Sequence, residues 1–172
     1  MKKWKQFAAF FLSCAVLVGL DQWTKALAVD HLMGQPPLVL IKGVFELTYL
    51  ENRGAAFGML QGRQAFFFLI AAVVVAAALF AVCRMPQEKK YVPLYLSVVG
   101  IVSGAVGNLI DRVAQGYVVD FFYFRLINFP VFNVADCYVT VSAAALILLF
   151  LFYYRDSDLE PFSLRRKKGD SH

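Results

Sequence analysis

Four long apolar blocks limit what this chain can fold into. They lie at about 7–28, 65–83, 91–110 and 137–154, each with the roughly 17–25 residues that carry a helix across the hydrocarbon core of a bilayer. Lipid offers nothing to an unpaired backbone N–H or C=O, so segments of this kind are helices. Their apolar residues run in blocks, without the one-sided stripe of a soluble helix. Composition agrees, with 60% of the 172 residues hydrophobic, 17% charged and a mean hydropathy of +0.61. A soluble domain averages about 45–50% apolar and about 25% charged. The expected fold is a mainly α membrane protein with four transmembrane helices in a single integral-membrane domain, 1–172.

The first block follows Met1-Lys2-Lys3-Trp4-Lys5. It is too long for a cleavable signal peptide and lacks a small-x-small cleavage site, so it reads as a retained span. "FLSC" (11–14) faintly resembles a lipoprotein processing site, but the apolar sequence continues past Cys14. Orientation follows the Lys and Arg residues. Lys2, Lys3, Lys5, Arg84, Lys89, Lys90, Arg155, Arg165, Arg166, Lys167 and Lys168 fall on one side of a four-span chain. The other side receives Lys25, Lys42, Arg53, Arg63, Arg112 and Arg125, spread over longer segments. Both termini are therefore expected in the cytoplasm, with outer loops at about 29–64 and 111–136, and the tail "RRKK" reads as a cytoplasmic anchor.

The net charge of +5 and pI near 9.2 do not point to nucleic acid. The basic residues flank the apolar blocks, where they meet membrane phospholipids. Cys14, Cys83 and Cys137 are odd in number, without CxxC spacing, and read as small packing residues. In the first outer loop, "GVFELTYLENRGAAFGML" (43–60) alternates Phe45, Leu47 and Tyr49 with Glu46 and Thr48 before the turn-prone "ENRG". A small β element on the outer membrane surface is expected there.

The topology brings five polar clusters to one membrane face. They are "LDQWTK" (20–25), "ENRGAAF" (51–57), "GNLIDR" (107–112), "YVVDFFYF" (117–124) and "FNVADC" (132–137). An aspartate at the centre of a membrane helix costs about 2.5–3.5 kcal/mol, and less near the interface. Several together need partners or a task. Each also has a purely structural reading. Asp21 and Lys25 suit an i,i+4 ion pair. Asn108 and Asp111 share a helix face, and Asp111 beside Arg112 suits an ion pair that ends the third span. Asn133 or Asp136 suits a cap on the fourth helix. Asp120 is harder to place, since Val118, Val119, Phe121 and Phe122 surround it and no cation lies within three residues.

If Asp120 and Asp136 approach one another, they share a proton. One carboxylate then takes a proton from water while the other donates one, which is hydrolysis by an aspartyl dyad. His31 and His172 are the only histidines, a poor basis for a His triad or a histidine-rich metal site. No G-x-S-x-G elbow or Gly-rich phosphate loop occurs. Magnesium held by Asp and Asn oxygens stays open on residue types alone. So do a proton-coupled membrane transporter and a structural membrane protein, although a transporter normally sets its carboxylates near the midplane.

At these residues the chain resembles the bacterial lipoprotein signal peptidases, also called signal peptidase II or prolipoprotein signal peptidase. "DQWTK" (21–25), "NRGAAF" (52–57), "GNLIDR" (107–112), "VVDFFYF" (118–124) and "FNVAD" (132–136) stand in family order from the first span to the last. Cys137 departs from the family's usual Ser. The resemblance implies a four-helix intramembrane aspartyl protease of the bacterial cytoplasmic (inner) membrane, with a small extracytoplasmic β-cradle and an active site near the outer face. Such enzymes cut prolipoproteins just before the diacylglyceryl-modified cysteine, with no metal, organic cofactor or obligate protein partner implied. By motif, Asp120 and Asp136 are the dyad, with Asp111 the alternative for the first carboxylate. Asn52, Asn108, Arg112 and Asn133 look like substrate-positioning or dyad-supporting residues. Asp21 and Lys25 support the framework, and Gly54, Ala55 and Ala56 allow a close backbone approach to bound peptide.

Overall fold

The computed structural model describes residues 3–54 and 64–163. Ala55, Ala56 and the "RRKK" tail lie outside the described residues. Among the described residues, four helices are long and apolar enough to cross a membrane: Lys3–Leu32, Ala65–Arg84, Lys89–Gln115 and Val134–Tyr153. The chain runs α1 (Lys3–Leu32), β1 (Leu38–Ile41), β2 (Phe45–Asn52), α2 (Gln64–Arg84), α3 (Val92–Gln115), β3 (Val118–Phe124), α4 (Val134–Leu148) and a short α5 (Asp156–Leu159). A 3-10 turn at Lys89–Tyr91 leads into α3, and a π-helical turn at Leu149–Tyr153 extends α4.

The helix α3 is the central one, packed against α1, α2 and α4. Its small residues make this possible. A Cβ on Gly100 meets Ser142 Oγ, one on Gly104 meets the Ala135 carbonyl, and one on Gly107 lies 2.5 Å from Asp21 Oδ2. Three glycines at i, i+4 and i+7 therefore let α4 and the Asp21 side chain lie directly on the α3 backbone. Close backbone approach is how membrane helices gain packing when lipid removes the hydrophobic drive between them. The outward faces keep large apolar side chains exposed, among them Phe11, Leu12, Leu69, Val73, Leu96 and Leu151.

At one end of the bundle the apolar core gathers Phe10, Cys14, Val82, Met85, Tyr91, Leu94, Val98 and Tyr154. At the other end lies an antiparallel sheet in the order β1-β2-β3. The expected strand in the first outer loop is β2. The sequence reading missed β1 and placed the stretch that forms β3 only as a polar cluster in the second outer loop. Strand alternation gives β3 two different faces. Val119 and Phe121 pack with Ala28 and Leu32 of α1, while Val118 and Asp120 line a cleft at the sheet end of the bundle.

The helices also run past the predicted spans. The third ends at Gln115, so Asp111 and Arg112 are helical and not part of a loop. It stops at Gly116, whose φ of 82° suits a residue without a Cβ. Two residues later β3 begins, and this tight turn sets Asp111 against the start of the strand. The fourth helix starts at Val134, which places Asp136 in its first turn.

Candidate active site

Asp120, Asn133 and Asp136 meet at the sheet end of the bundle. Asn133 is the N-cap of α4, and Asp136 is the third residue of that helix. The Asn133 Oδ1 accepts from Asp136 N at 3.0 Å, and Asp136 Oδ2 accepts from Asn133 N at 3.1 Å. This reciprocal capping box satisfies two backbone N–H groups left free at the helix start. With its oxygen used, the Asn133 amide presents Nδ2 to Asp120 Oδ1 at 2.6 Å. One asparagine thus binds both carboxylates, through its side chain and through its backbone. Capping and the approach to Asp120 are not alternatives here: a single residue does both.

The remaining carboxylate oxygens also receive N–H donors. Asn52 Nδ2 donates to Asp120 Oδ2 at 2.8 Å, and Asn108 Nδ2 donates to Asp136 Oδ1 at 2.8 Å. Asn52 stands opposite Val118 across the β2–β3 ladder, on the same sheet face as Asp120. Gly54 N donates to Asn52 Oδ1 at 3.0 Å, which turns the Asn52 amide so that its nitrogen faces the carboxylate. Asp120 is 1% exposed and Asn133 fully buried. Burial first, then the charge of Asp136, push the Asp120 carboxyl up to about 7 against the opposing hydrogen bonds from Asn52 and Asn133.

Beneath the two carboxylates lies a buried ion cluster. Lys25 Nζ is 2.9 Å from Asp21 Oδ2 and 3.0 Å from Asp111 Oδ2, and it donates to Asn108 Oδ1 at 2.9 Å. The expected i,i+4 pair of Asp21 and Lys25 is present, but it is one edge of a larger network. Asp111 does not end its helix on Arg112. It pairs with Lys25 and accepts from Val119 N at 3.1 Å, tying α3 to the strand that carries Asp120. The physical reason is helical direction: neighbours in sequence point about 100° apart on a helix, so Asp111 turns inward to α1 while Arg112 turns to the cleft.

Arg112 Nη2 donates to the Gly54 carbonyl at 3.0 Å, and its guanidinium lies 4.1 Å from the Phe67 ring centroid. Gly54 is buried at this contact. Two residues escaped the sequence reading. Gln22 Nε2 donates to Asp111 Oδ1 at 2.8 Å and to the Gly107 carbonyl at 3.2 Å. Its signal was present, a polar residue in an otherwise apolar stretch beside Asp21. Phe67 carried no signal, since it is one of three consecutive phenylalanines.

Two cavities adjoin the carboxylates. One of about 490 Å³ is lined by Asn52, Gly54, Asp120, Asp136, Arg112 and the apolar segment Phe129–Phe132, among others. The second, about 300 Å³, runs between α2, α3 and α4 and is mostly apolar. Asn108, Arg112, Asp136 and Thr140 border both. The arrangement offers two carboxylates with free lone pairs, a guanidinium for a carbonyl, and apolar walls that exclude bulk water. Cys137 also lines the larger cleft, so it is not a packing residue alone.

Comparison with known proteins agrees with this geometry. The family model described as signal peptidase (SPase) II matches residues 13–152. A lipoprotein signal peptidase of Streptococcus thermophilus (strain CNRZ 1066) is 47% identical over 133 residues, covering 77% of this chain and 86% of its own. One of Clostridioides difficile (strain 630) is 42% identical over 144 residues, covering 84% and 95%. A solved bacterial membrane enzyme superposes with a TM-score of 0.72 at 27% identity, covering 94% of this chain and 95% of that one. None of these similarities favours a transporter or a purely structural membrane protein. With the family model covering most of the chain, this protein belongs to the signal peptidase II family and is a multi-pass membrane protease.

Proposed function

We propose that this protein removes signal peptides from prolipoproteins, as an aspartyl endopeptidase that hydrolyses the bond just before the diacylglyceryl-modified cysteine. The observation that carries the reading is the Asn133 bridge, which holds Asp120 and Asp136 by two hydrogen bonds at one cleft. Buried together, two carboxylates retain one proton between them. The ionised one takes a proton from a water molecule as the water oxygen bonds to the scissile carbonyl carbon. The protonated one gives its proton to the carbonyl oxygen, forming a gem-diol. In collapse, the first carboxyl passes its proton to the amide nitrogen and the C–N bond breaks. A diol hydroxyl then returns its proton to the second carboxylate. The products are a signal peptide with a new carboxyl terminus and a lipoprotein with a free amino-terminal cysteine.

Family membership and the positive-inside distribution support the bacterial cytoplasmic membrane, with both termini inside and the sheet end outside. In that orientation a lipid-anchored substrate enters from the outer leaflet, and its scissile bond lies near the interface, where water is available. Arg112 positions the peptide backbone, an arrangement that lowers the entropic part of the barrier. The test uses purified protein in detergent with a diacylglyceryl-modified prolipoprotein and its unlipidated form, followed by mass spectrometry. Cleavage before the lipidated cysteine supports the function; a folded protein that leaves several such substrates intact refutes it.

A further inference from the structure

Three asparagines surround the two carboxylates, and each has its amide turned by a donor on its far side. For Asn52 that donor is the Gly54 N–H, and for Asn133 it is the Asp136 N–H, both uncharged. For Asn108 the donors are the Lys25 ammonium at 2.9 Å and the Asn133 Nδ2 at 3.1 Å, of which only the first is charged. Lys25 has three N–H bonds, directed to Asp21, Asp111 and Asn108. An ammonium cannot accept a hydrogen bond, so Asn108 has to offer its oxygen to Lys25 and its nitrogen to Asp136. A cation on the amide oxygen also polarises the group and strengthens the N–H donor at the other end. Asp136 further occupies the first turn of α4, where the helix dipole favours negative charge. Asp120 sits on a strand and receives only donors with uncharged partners.

We propose that Lys25 is a positioning residue: through Asn108 it holds Asp136 as the ionised member of the pair, leaving the proton on Asp120. The inference rests on the dyad reading above and deepens it. Asp136 becomes the group that takes the proton of the attacking water, and Asp120 the group that protonates the carbonyl oxygen. Among the described residues, the charged or titratable groups near Asp136 are Asp21 and Lys25 of α1, Asp111 and Arg112 of α3, Asp120 of β3, and Cys137 beside it. Helix α2 brings the Phe67 ring to the Arg112 guanidinium. Arg112 and Lys25 each act through space on both dyad carboxylates; what separates the two carboxylates is the hydrogen-bonded link from Lys25 through Asn108, which ends on Asp136.

The pH dependence of kcat tests the assignment, with purified protein and a diacylglyceryl-modified prolipoprotein. Lys25→Met combined with Asp111→Asn removes the ammonium yet keeps one net negative charge in the cluster. Asn108→Leu cuts the link and keeps the three charges of the ion cluster, while leaving one Lys25 N–H without its acceptor. Each is expected to move the acidic limb upward by about one pH unit, with the alkaline limb fixed and KM within about twofold. Asn52→Leu, which removes a donor from Asp120, is expected to raise the alkaline limb instead. A folded, active double variant with an unmoved acidic limb overturns the proposal; so does an Asn108→Leu enzyme whose alkaline limb alone moves. Should the double variant not fold, Asn108→Leu decides. Residual cleavage by Asp120→Asn or Asp136→Asn is a separate result, and refutes the dyad itself.

Discussion

Asp21 on the first helix accepts a hydrogen bond from the backbone N–H of Ala135 on the last, at 2.9 Å. The acceptor for an unpaired amide at the start of α4 thus comes from the other end of the sequence. Asp21→Ala strands that amide and leaves Lys25 with one carboxylate fewer, at an expected cost of about 3 kcal/mol. Asp21→Asn keeps an acceptor for Ala135 and is expected to lose less than half as much. Thermal unfolding in detergent measures both.

Asp120→Asn and Asp136→Asn are each expected to lower kcat by at least about a hundredfold, the usual contribution of general acid–base catalysis. Both proteins are expected to remain folded, although at each site the new NH2 replaces an acceptor of an N–H donor and costs about 1–3 kcal/mol. Mass spectrometry of a lipidated substrate, alongside far-UV circular dichroism, checks the pair. If Asp111→Asn were inactive while Asp120→Asn stayed active, Asp111 would take Asp120's place in the dyad.

The Asp120 carboxyl ordinarily titrates near 3.8 and is pushed up to about 7 in the fold, chiefly by burial. A folded-state value above the unfolded one favours the protonated fold. The stability it supplies is complete below about pH 4 and is lost as pH rises through about 7, by up to about 4 kcal/mol. Asp120→Asn does not titrate, so its melting temperature is expected to gain on the wild type between pH 5 and pH 8. Since Asp120 supplies a proton in the proposed reaction, kcat/KM of the wild type falls as pH rises through about 7. A flat melting difference across this range would contradict the reading.

Gly104→Val is expected to destabilise the bundle by about 1–3 kcal/mol and to lower cleavage at least about tenfold. A side chain there meets the Ala135 carbonyl and Val139, and α4 has to shift together with Asp136. Gly19→Ala is the control. A Cβ at Gly19 meets nothing within 4 Å, and a change within about 0.5 kcal/mol is expected.

The parts of this structure set by lipid were legible in the sequence. A membrane span has to be apolar throughout and of a fixed length, so four blocks announce four helices. The β2 strand was legible because alternation from Phe45 to Tyr49 has a period of two. β3 was not: Val118, Val119, Phe121 and Phe122 are apolar on both faces, because one face packs on α1 and the other lines the cleft. Aspartates in apolar surroundings marked the site region by cost alone, but their pairing was hidden. Asp111 turned to Lys25, 86 positions away by number, and not to its neighbour Arg112. The asparagine orientations were invisible as well: Asn52 and Asn133 are turned by backbone N–H groups two and three residues on, and Asn108 by a lysine of another helix.

The bond between Asp21 and Ala135 also has a consequence in time. A chain leaves the ribosome with its first span far ahead of its last, and α1, β2, α3 and β3 are made while α4 is still to come. Such a half-made chain holds Lys25, Asn108 and Asp120 but lacks Asp136 and the Asn133 bridge. It contains one carboxylate of the proposed pair. On the proposed dyad, the capacity to cut is expected only when the final span arrives and its first turn finds the acceptor waiting on the oldest one. On that reading, a product truncated before Asn133 and left in the bilayer is therefore expected to be inert.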